Sequence, residues 1–362
     1  MERIPVYEPS LGGNVSAYVN ECLETGWISS RGAFIGRFEE AFAAYTGAGD
    51  AVTVANGTVA IHLALVALGI GPGDEVIVPS FTYVASVNTI LQAGATPVYV
   101  DSLESTLQID PESVRRAITP RTRAVMAVHL YGHPCDMGAL LDICRTHNLL
   151  LVEDCAEAFG TYWQGQHVGT FGDAATFSFF GNKTITTGEG GMVLARSPEV
   201  VARCRHLKSQ GVSPTREYWH DSLAYNYRMT NIQAAIGLAQ IERAEELLAA
   251  KARLAQKYRE KLTGLPLRTH DAIGNVSHSY WMCSIILDRA EDREGLRAHL
   301  NAAGVDTRPF FPQCHLMPHC AADVVLPVGE GISRRGINLP SFPTLSNEQI
   351  DHICNSIISF LK

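Results

Sequence analysis

From Ala51 onward, apolar runs of strand length alternate with segments of helical periodicity. That alternation restricts the chain to a parallel or mostly parallel sheet covered by helices. The buried-strand candidates are AVTVA (51–55), EVIV (75–78), PVYV (97–100), AVMAV (124–128) and LLLVE (149–153), and helical patterns occupy 59–68, 84–93, 111–118 and 137–147 between them. Glycine-containing punctuation at GIGPGDE (69–75) and YGHPCD (131–136) marks turns between these elements. Two further strands are expected at 174–178 and 191–195, on either side of FFGNKTITTGEG.

Beyond Val200 the pattern changes. Residues 231–262, rich in Ala, Leu, Glu, Gln and Lys, read as one long amphipathic helix whose weak point is Gly237. A strand is expected at 280–287, a helix at 293–303 and a terminal helix at 347–361, which together make a smaller α+β unit. With 362 residues and roughly 150 residues per domain as a guide, the chain divides into a large domain over 1–250 and a small one over 251–362, with the boundary somewhere in 240–265.

Composition narrows the function. The formal net charge is -8, so a nucleic-acid backbone is repelled on average, although a local pocket of N–H groups can still take an anionic small molecule. The start, MERIPVYEPSLGG, lacks the apolar run of a signal peptide. The longest mostly apolar stretch, 60–70, contains His62 and falls short of the roughly 20 residues that span a membrane. Nine cysteines, an odd number without a CxxC pair, fit free thiols in a reducing compartment. A soluble, cytoplasmic protein without membrane or nucleic-acid partners is the expectation. Cys314-His315 and His319-Cys320 have metal-ligand chemistry but poor spacing for zinc, and no metal is expected.

Several positions carry possible chemistry, each with an ordinary alternative. Lys183 follows an apolar strand, and desolvation there lowers an amine's pKa and makes it nucleophilic; taken alone it reads as a solvent-facing loop lysine. Asp154 ends a buried strand at the sheet edge where open α/β folds bind ligands, or it caps the next turn. Asn56-Gly57-Thr58 opens a helix after the first strand, so backbone N–H groups and the Thr58 hydroxyl are placed to cradle a phosphate, or the stretch is a plain strand-to-helix turn. Tyr83 can offer a flat ring to an aromatic cofactor or fill the core. Asn226 and Arg228 precede the long helix, where Thr230 or Asn231 caps. In combination and in this order, a phosphate cradle, a stacking aromatic, a strand-end aspartate and a lysine are what pyridoxal phosphate requires.

The motifs NGTVAIHLAL, GPGDEVIVPSFTYVAS, EDCAEAFG, FSFFGNKTITTGEGGM and YNYRMTNIQAAIGLAQ stand in sequence, between the WISSRG stretch (27–32) and GINLP (336–340). In these the chain resembles the DegT/DnrJ/EryC1/StrS family of sugar aminotransferases, which have the aspartate aminotransferase fold (fold type I). The resemblance implies a large domain with a mostly parallel central sheet and a smaller α+β C-terminal domain. It implies that Lys183 carries pyridoxal phosphate and shuttles the proton, that Asp154 pairs with the pyridine nitrogen, and that Tyr83 stacks on the ring. Gly57, Thr58 and Ser178 would hold the phosphate, joined by Asn226 of a second subunit, which makes the enzyme a homodimer with shared sites. Glu157 stands where many relatives carry Gln or His beside the cofactor, and a carboxylate there would repel the ring's phenolate unless protonated or turned toward substrate.

Lys183 argues against relatives that replace the lysine by histidine and dehydrate sugars instead. In the REYWHD run (216–221) and the Lys183 and 225–242 segments the chain resembles those family members that use L-glutamate as amino donor and the C4 ketone of GDP-4-keto-6-deoxymannose as acceptor. That resemblance implies a deoxyamino sugar for a surface glycan such as an O-antigen, or an antibiotic sugar, with dTDP- or UDP-linked keto sugars the alternative acceptors. Arg228 becomes a candidate carboxylate ligand, and Phe311 and His315, in RPFFPQCHLMP (308–318), candidate sugar-nucleotide contacts.

Overall fold

The computed structural model describes residues 3–362. Its centre is a seven-stranded sheet in the spatial order Ala51–Val54, Gly191–Ala195, Ala174–Ser178, Leu150–Asp154, Thr122–Val128, Glu75–Pro79 and Thr96–Val100. Five of these, from Ala174–Ser178 to Thr96–Val100, pair in parallel. Gly191–Ala195 is antiparallel to both of its neighbours. Every residue of Ala51–Val54 and Glu75–Pro79 is buried, as expected for strands covered on both faces. The expected strands of this sheet all form, within two residues of the expected ends.

Helices cover both faces. Gly57–Ala67 is buried nearly all round, and Asp110 and Asp136 cap Pro111–Ala117 and Met137–His147 through their carboxylates. Val15–Thr25, Ala33–Thr46 and Pro198–Leu207 were not anticipated. A second, antiparallel sheet runs Leu267–Thr269, Ser284–Leu287, Gly336–Asn338, Arg308–Pro309. Its core takes in Leu296, Leu300, Ile350, Ile353 and Ile357 from the helices Asp292–Ala302 and Asn347–Leu361.

Three expectations need correction. The long helix is two, Asn231–Ile241 and Ala244–Leu262. The break has no glycine or proline in it. Arg243 leaves helical geometry where its guanidinium donates to the Ser10 carbonyl and to Glu246. Gly237 is instead a close-packing position, since a Cβ there would lie 2.5 Å from the Phe38 ring. The strand expected at 280–287 starts only at Ser284, because Tyr280 takes a left-handed conformation with φ 51°.

The 250/251 division also falls inside Ala244–Leu262. That helix packs Ala244 and Leu247 against the first unit and Leu254, Ala255, Tyr258 and Leu262 against the second. Ile4, from the other end of the chain, is likewise buried in the second unit's core.

Candidate active site

The carboxyl ends of the parallel strands open into a cavity of about 720 Å³, the place where open α/β sheets bind ligands. Gly57, Thr58, Tyr83, Asp154, Glu157, Ser178, Lys183 and Phe311 line it, so eight of the residues singled out in the sequence converge on one space. They arrive from several strand ends and the turns that follow them.

Asn56 caps the helix Gly57–Ala67, its side-chain oxygen accepting the Val59 N–H at 3.0 Å. The first turn's backbone therefore faces the cavity beside Ser178, the last residue of its strand. The fit between them excludes a side chain at position 57: a Cβ would stand 2.7 Å from the Ser178 Cβ and 3.0 Å from its Oγ. A cradle this tight, opening on a helix N-terminus, suits a phosphate.

Asp154 is 5% exposed. The Ser86 hydroxyl donates to Oδ2 at 2.7 Å and the Ala156 N–H to Oδ1 at 3.0 Å. Burial outweighs these bonds and the nearby Lys183 charge, and holds the carboxyl above its usual range. A cationic N–H entering the cavity would relieve that.

Lys183 follows the short turn after Phe180. Its side chain is 13% exposed, with Nζ 3.9 Å from Glu157 Oε1 and 3.8 Å from the centroid of the Trp281 ring. Burial lowers its pKa against the opposing pull of Glu157 and Asp154. Glu157 is buried, and its Oε2 accepts the Tyr131 N–H at 2.8 Å. Burial raises its carboxyl to about 7. Tyr83 is 56% exposed, with its ring 5.4 Å from that of Phe311.

Three candidates stand outside the cavity lining. His315 is buried beneath the site, its Nδ1 2.7 Å from the Ser80 hydroxyl, which removes it as a sugar contact within one chain. Arg228 turns away, donating to the Ser30 hydroxyl at 3.1 Å. Asn226 is exposed and pairs with Ser209. The cysteine–histidine cluster is dispersed: Cys320 donates to the Cys314 carbonyl and His319 meets Asn88. All nine cysteines are buried and free, and among the described residues no helix is long and apolar enough to cross a membrane.

Sequence reasoning missed Trp281, which lines the cavity, Ser86 behind Asp154, and Tyr7. The WM pair at 281–282 was absorbed into a strand pattern.

The model of the DegT/DnrJ/EryC1/StrS aminotransferase family matches residues 9–358. The chain belongs to that family. It is an aminotransferase, with a lysine, a strand-end aspartate and a helix-opening cradle gathered in one cavity. This aminotransferase is 53% identical over 364 residues to the GDP-perosamine synthase of Vibrio cholerae, an alignment covering 99% of each chain. Among solved structures it is similar to the aminotransferase TlmJ of Streptoalloteichus hindustanus, with 31% identity, a TM-score of 0.95 and coverage of 99% and 98%. The PLP form of Spr1654 from Streptococcus pneumoniae gives 28% identity, a TM-score of 0.94 and the same coverage.

Proposed function

We propose that this chain is a GDP-perosamine synthase: it binds pyridoxal phosphate and moves an amino group from L-glutamate to the C4 ketone of GDP-4-keto-6-deoxymannose. The observation that carries the reading is the convergence of Lys183, Asp154 and the Gly57–Ser178 cradle on one cavity, supported by full-length similarity to a protein of that name. The donor set fits the cofactor. A buried carboxylate with no ion-pair partner within salt-bridge distance among the described residues suits a protonated pyridine nitrogen, a glycine-only cradle suits a phosphate, and a desolvated lysine suits an aldehyde.

When bound, pyridoxal phosphate supplies the carbonyl that takes up the amino group and the ring that accepts the electron pair of the broken C–H bond. Asp154, its carboxylate kept oriented by Ser86 and the Ala156 N–H, would accept the hydrogen bond of a protonated ring nitrogen. The Gly57 and Thr58 N–H groups and the Ser178 hydroxyl would hold the phosphate. Tyr83 would offer its ring to the cofactor. Lys183 Nζ, with its lowered proton affinity, takes the proton from the donor's α-carbon and returns one to the sugar's C4 in the second half. Glu157, held by the Tyr131 N–H, is neutral below about pH 7 and so can stand near a phenolate oxygen as a hydrogen-bond donor.

Asn226 is exposed and does not line the cavity of its own chain, so in this reading it would serve the site of a second copy, in a homodimer in which each copy completes the other's site. Phe311 remains the sugar-side contact from its own chain.

The acceptor is tested by giving the enzyme 15N-glutamate and an equimolar mixture of GDP-, dTDP- and UDP-linked 4-keto-6-deoxy sugars. Mass spectrometry of the products should place the label on the GDP sugar. Label on another nucleotide would keep the aminotransferase and discard the acceptor. The fraction of dimer, read by sedimentation, and loss of bound cofactor in Asn226→Ala test the shared site.

A further inference from the structure

Behind Lys183 lies a second buried lysine that the reaction does not use. Lys251, on Ala244–Leu262, is wholly buried. Its ammonium donates to the backbone carbonyls of Trp281 at 3.1 Å and Ser341 at 2.6 Å and lies 5.0 Å from the Tyr7 ring centroid. The group facing it is the Cys283 thiol, and no carboxylate of the described residues pairs with it; burial lowers its pKa to about 8. An ammonium so placed is costly, and for stability alone a packed apolar side chain of similar volume would serve as well or better.

The two aromatic residues that Lys251 touches are the two that hold the Lys183 segment. Trp281 donates its indole N–H to the Asn182 carbonyl at 2.7 Å and presents its ring face to Lys183 Nζ at 3.8 Å. Tyr7 donates its hydroxyl to the carbonyl of Lys183 itself at 2.7 Å. Two successive carbonyls and the amine of the reactive lysine are thus fixed by residues that converge on one buried charge. Asp154 and Glu157, the charged groups facing Lys183, approach from other elements.

We propose that Lys251 is a positioning residue for Lys183: by fixing the Trp281 backbone and the Tyr7 ring it holds the Lys183 amine over the indole face and directs it into the cavity. The inference rests on Lys183 being the reactive amine, and goes beyond it by assigning what sets that amine's position and proton affinity. The indole face favours the ammonium form, so releasing Trp281 makes Lys183 easier to deprotonate.

The test uses the full chain freed of cofactor by dialysis against hydroxylamine. Lysines are labelled competitively with an amine-reactive anhydride across a pH series, and the Lys183 peptide is read by mass spectrometry. In the unaltered protein Lys183 should react with a midpoint below that of an ordinary lysine. Lys251→Met, checked for cooperative melting, should lower that midpoint further by about one pH unit, the size of losing one desolvated cation–π contact. Trp281→Leu should do the same, and the double variant no more than either. Lys251→Arg, which keeps the charge and the donors, should restore the midpoint.

If Lys251→Met does not fold, Tyr7→Phe carries the test, since it deletes only the hydroxyl on the Lys183 carbonyl and should also move the midpoint. An unchanged midpoint in folded Lys251→Met, or in Tyr7→Phe where that variant must stand in, overturns the proposal. Additive shifts in the double variant do so as well. An ordinary midpoint in the unaltered protein would instead overturn Lys183 as the reactive amine, and the inference with it.

Discussion

Lys183 Nζ and Glu157 Oε1 stand 3.9 Å apart inside the cavity, a buried pair in which burial pushes the amine's pKa down and the carboxyl's up. The two shifts narrow the gap between the proton affinities of the amine and the carboxyl, which lowers the cost of moving a proton at this site.

Glu157 gives the first prediction. Its folded-state pKa of about 7 lies above the usual 4.3 or so of an unfolded chain, so the folded state binds the extra proton between these values. Its stabilising contribution is fully present below about pH 4 and is lost as pH rises through about 7. Glu157→Gln keeps an acceptor for the Tyr131 N–H without a charge. The cofactor-free variant should match the parent near pH 4 and exceed it at pH 8 by ~1–3 kcal/mol in denaturant titrations. Equal stability at both pH values would mean that Glu157 ionises freely.

Asp154→Asn removes the partner of the ring nitrogen but keeps the shape and one acceptor for Ser86 and Ala156. Both halves of the reaction should slow by on the order of 10²-fold or more, measured as the stopped-flow loss of the cofactor band with glutamate and its return with keto sugar. Cofactor-free protein should be no less stable, since a buried carboxylate held above its usual pKa is a burden until the cofactor arrives. Full speed in either half would remove Asp154 from the chemistry.

At Gly57 the constraint is steric. A methyl there meets Ser178 at 2.7 Å, so Gly57→Ala should push the first helical turn off its strand, cost ~1–3 kcal/mol of stability and weaken cofactor retention at least tenfold. Spectrophotometric titration with pyridoxal phosphate reads the second effect. Undiminished affinity would place the phosphate elsewhere.

Three buried histidines predict the acid limit. His133, His270 and His278 lie with ring centroids 4.9–5.6 Å apart, each with one ring nitrogen lacking a partner. Burial lowers all three, His270 to about 3. The folded state therefore refuses protons that the unfolded chain accepts below about pH 6.5. Stability is fully present above that pH and falls as pH drops from about 6.5 toward 3, by up to ~1.4 kcal/mol per unit for each ring. His278→Phe should make the fall shallower in urea titrations between pH 7 and 5. An unchanged slope would show the cluster to be solvated.

How legible this was depends on whether the cause is local. The strands of the main sheet are mostly apolar runs, several of them ended by a turn residue such as Ser80, Asp101, Asp154 or Ser178, so their ends, and with them Gly57, Tyr83, Asp154 and Ser178, could be read directly. The break at Arg243 could not, because its cause is a carbonyl at Ser10, far away in sequence. His315 stands in the same loop as Phe311, but only Phe311 lines the cavity. The chain turns between them, and Ser80 holds the ring in the interior. Trp281 was hidden by Tyr280: nothing in the local pattern YWMCSIIL signals a left-handed tyrosine, and that residue diverts the indole from the strand register toward Lys183. A buried lysine on an amphipathic helix, as at Lys251, gives no signal at all until the partners of its ammonium are known.

The central claim is that one cavity transfers an amino group from donor to keto sugar, with Lys183 moving the protons. The most direct measurement follows the visible cofactor band of the purified protein loaded with pyridoxal phosphate, on adding glutamate and then GDP-4-keto-6-deoxymannose, in the parent and in Lys183→Ala. The account predicts loss of the band with glutamate, its return with the sugar, and neither in Lys183→Ala. A protein that forms no such band, or a Lys183→Ala variant that completes the cycle, would contradict it.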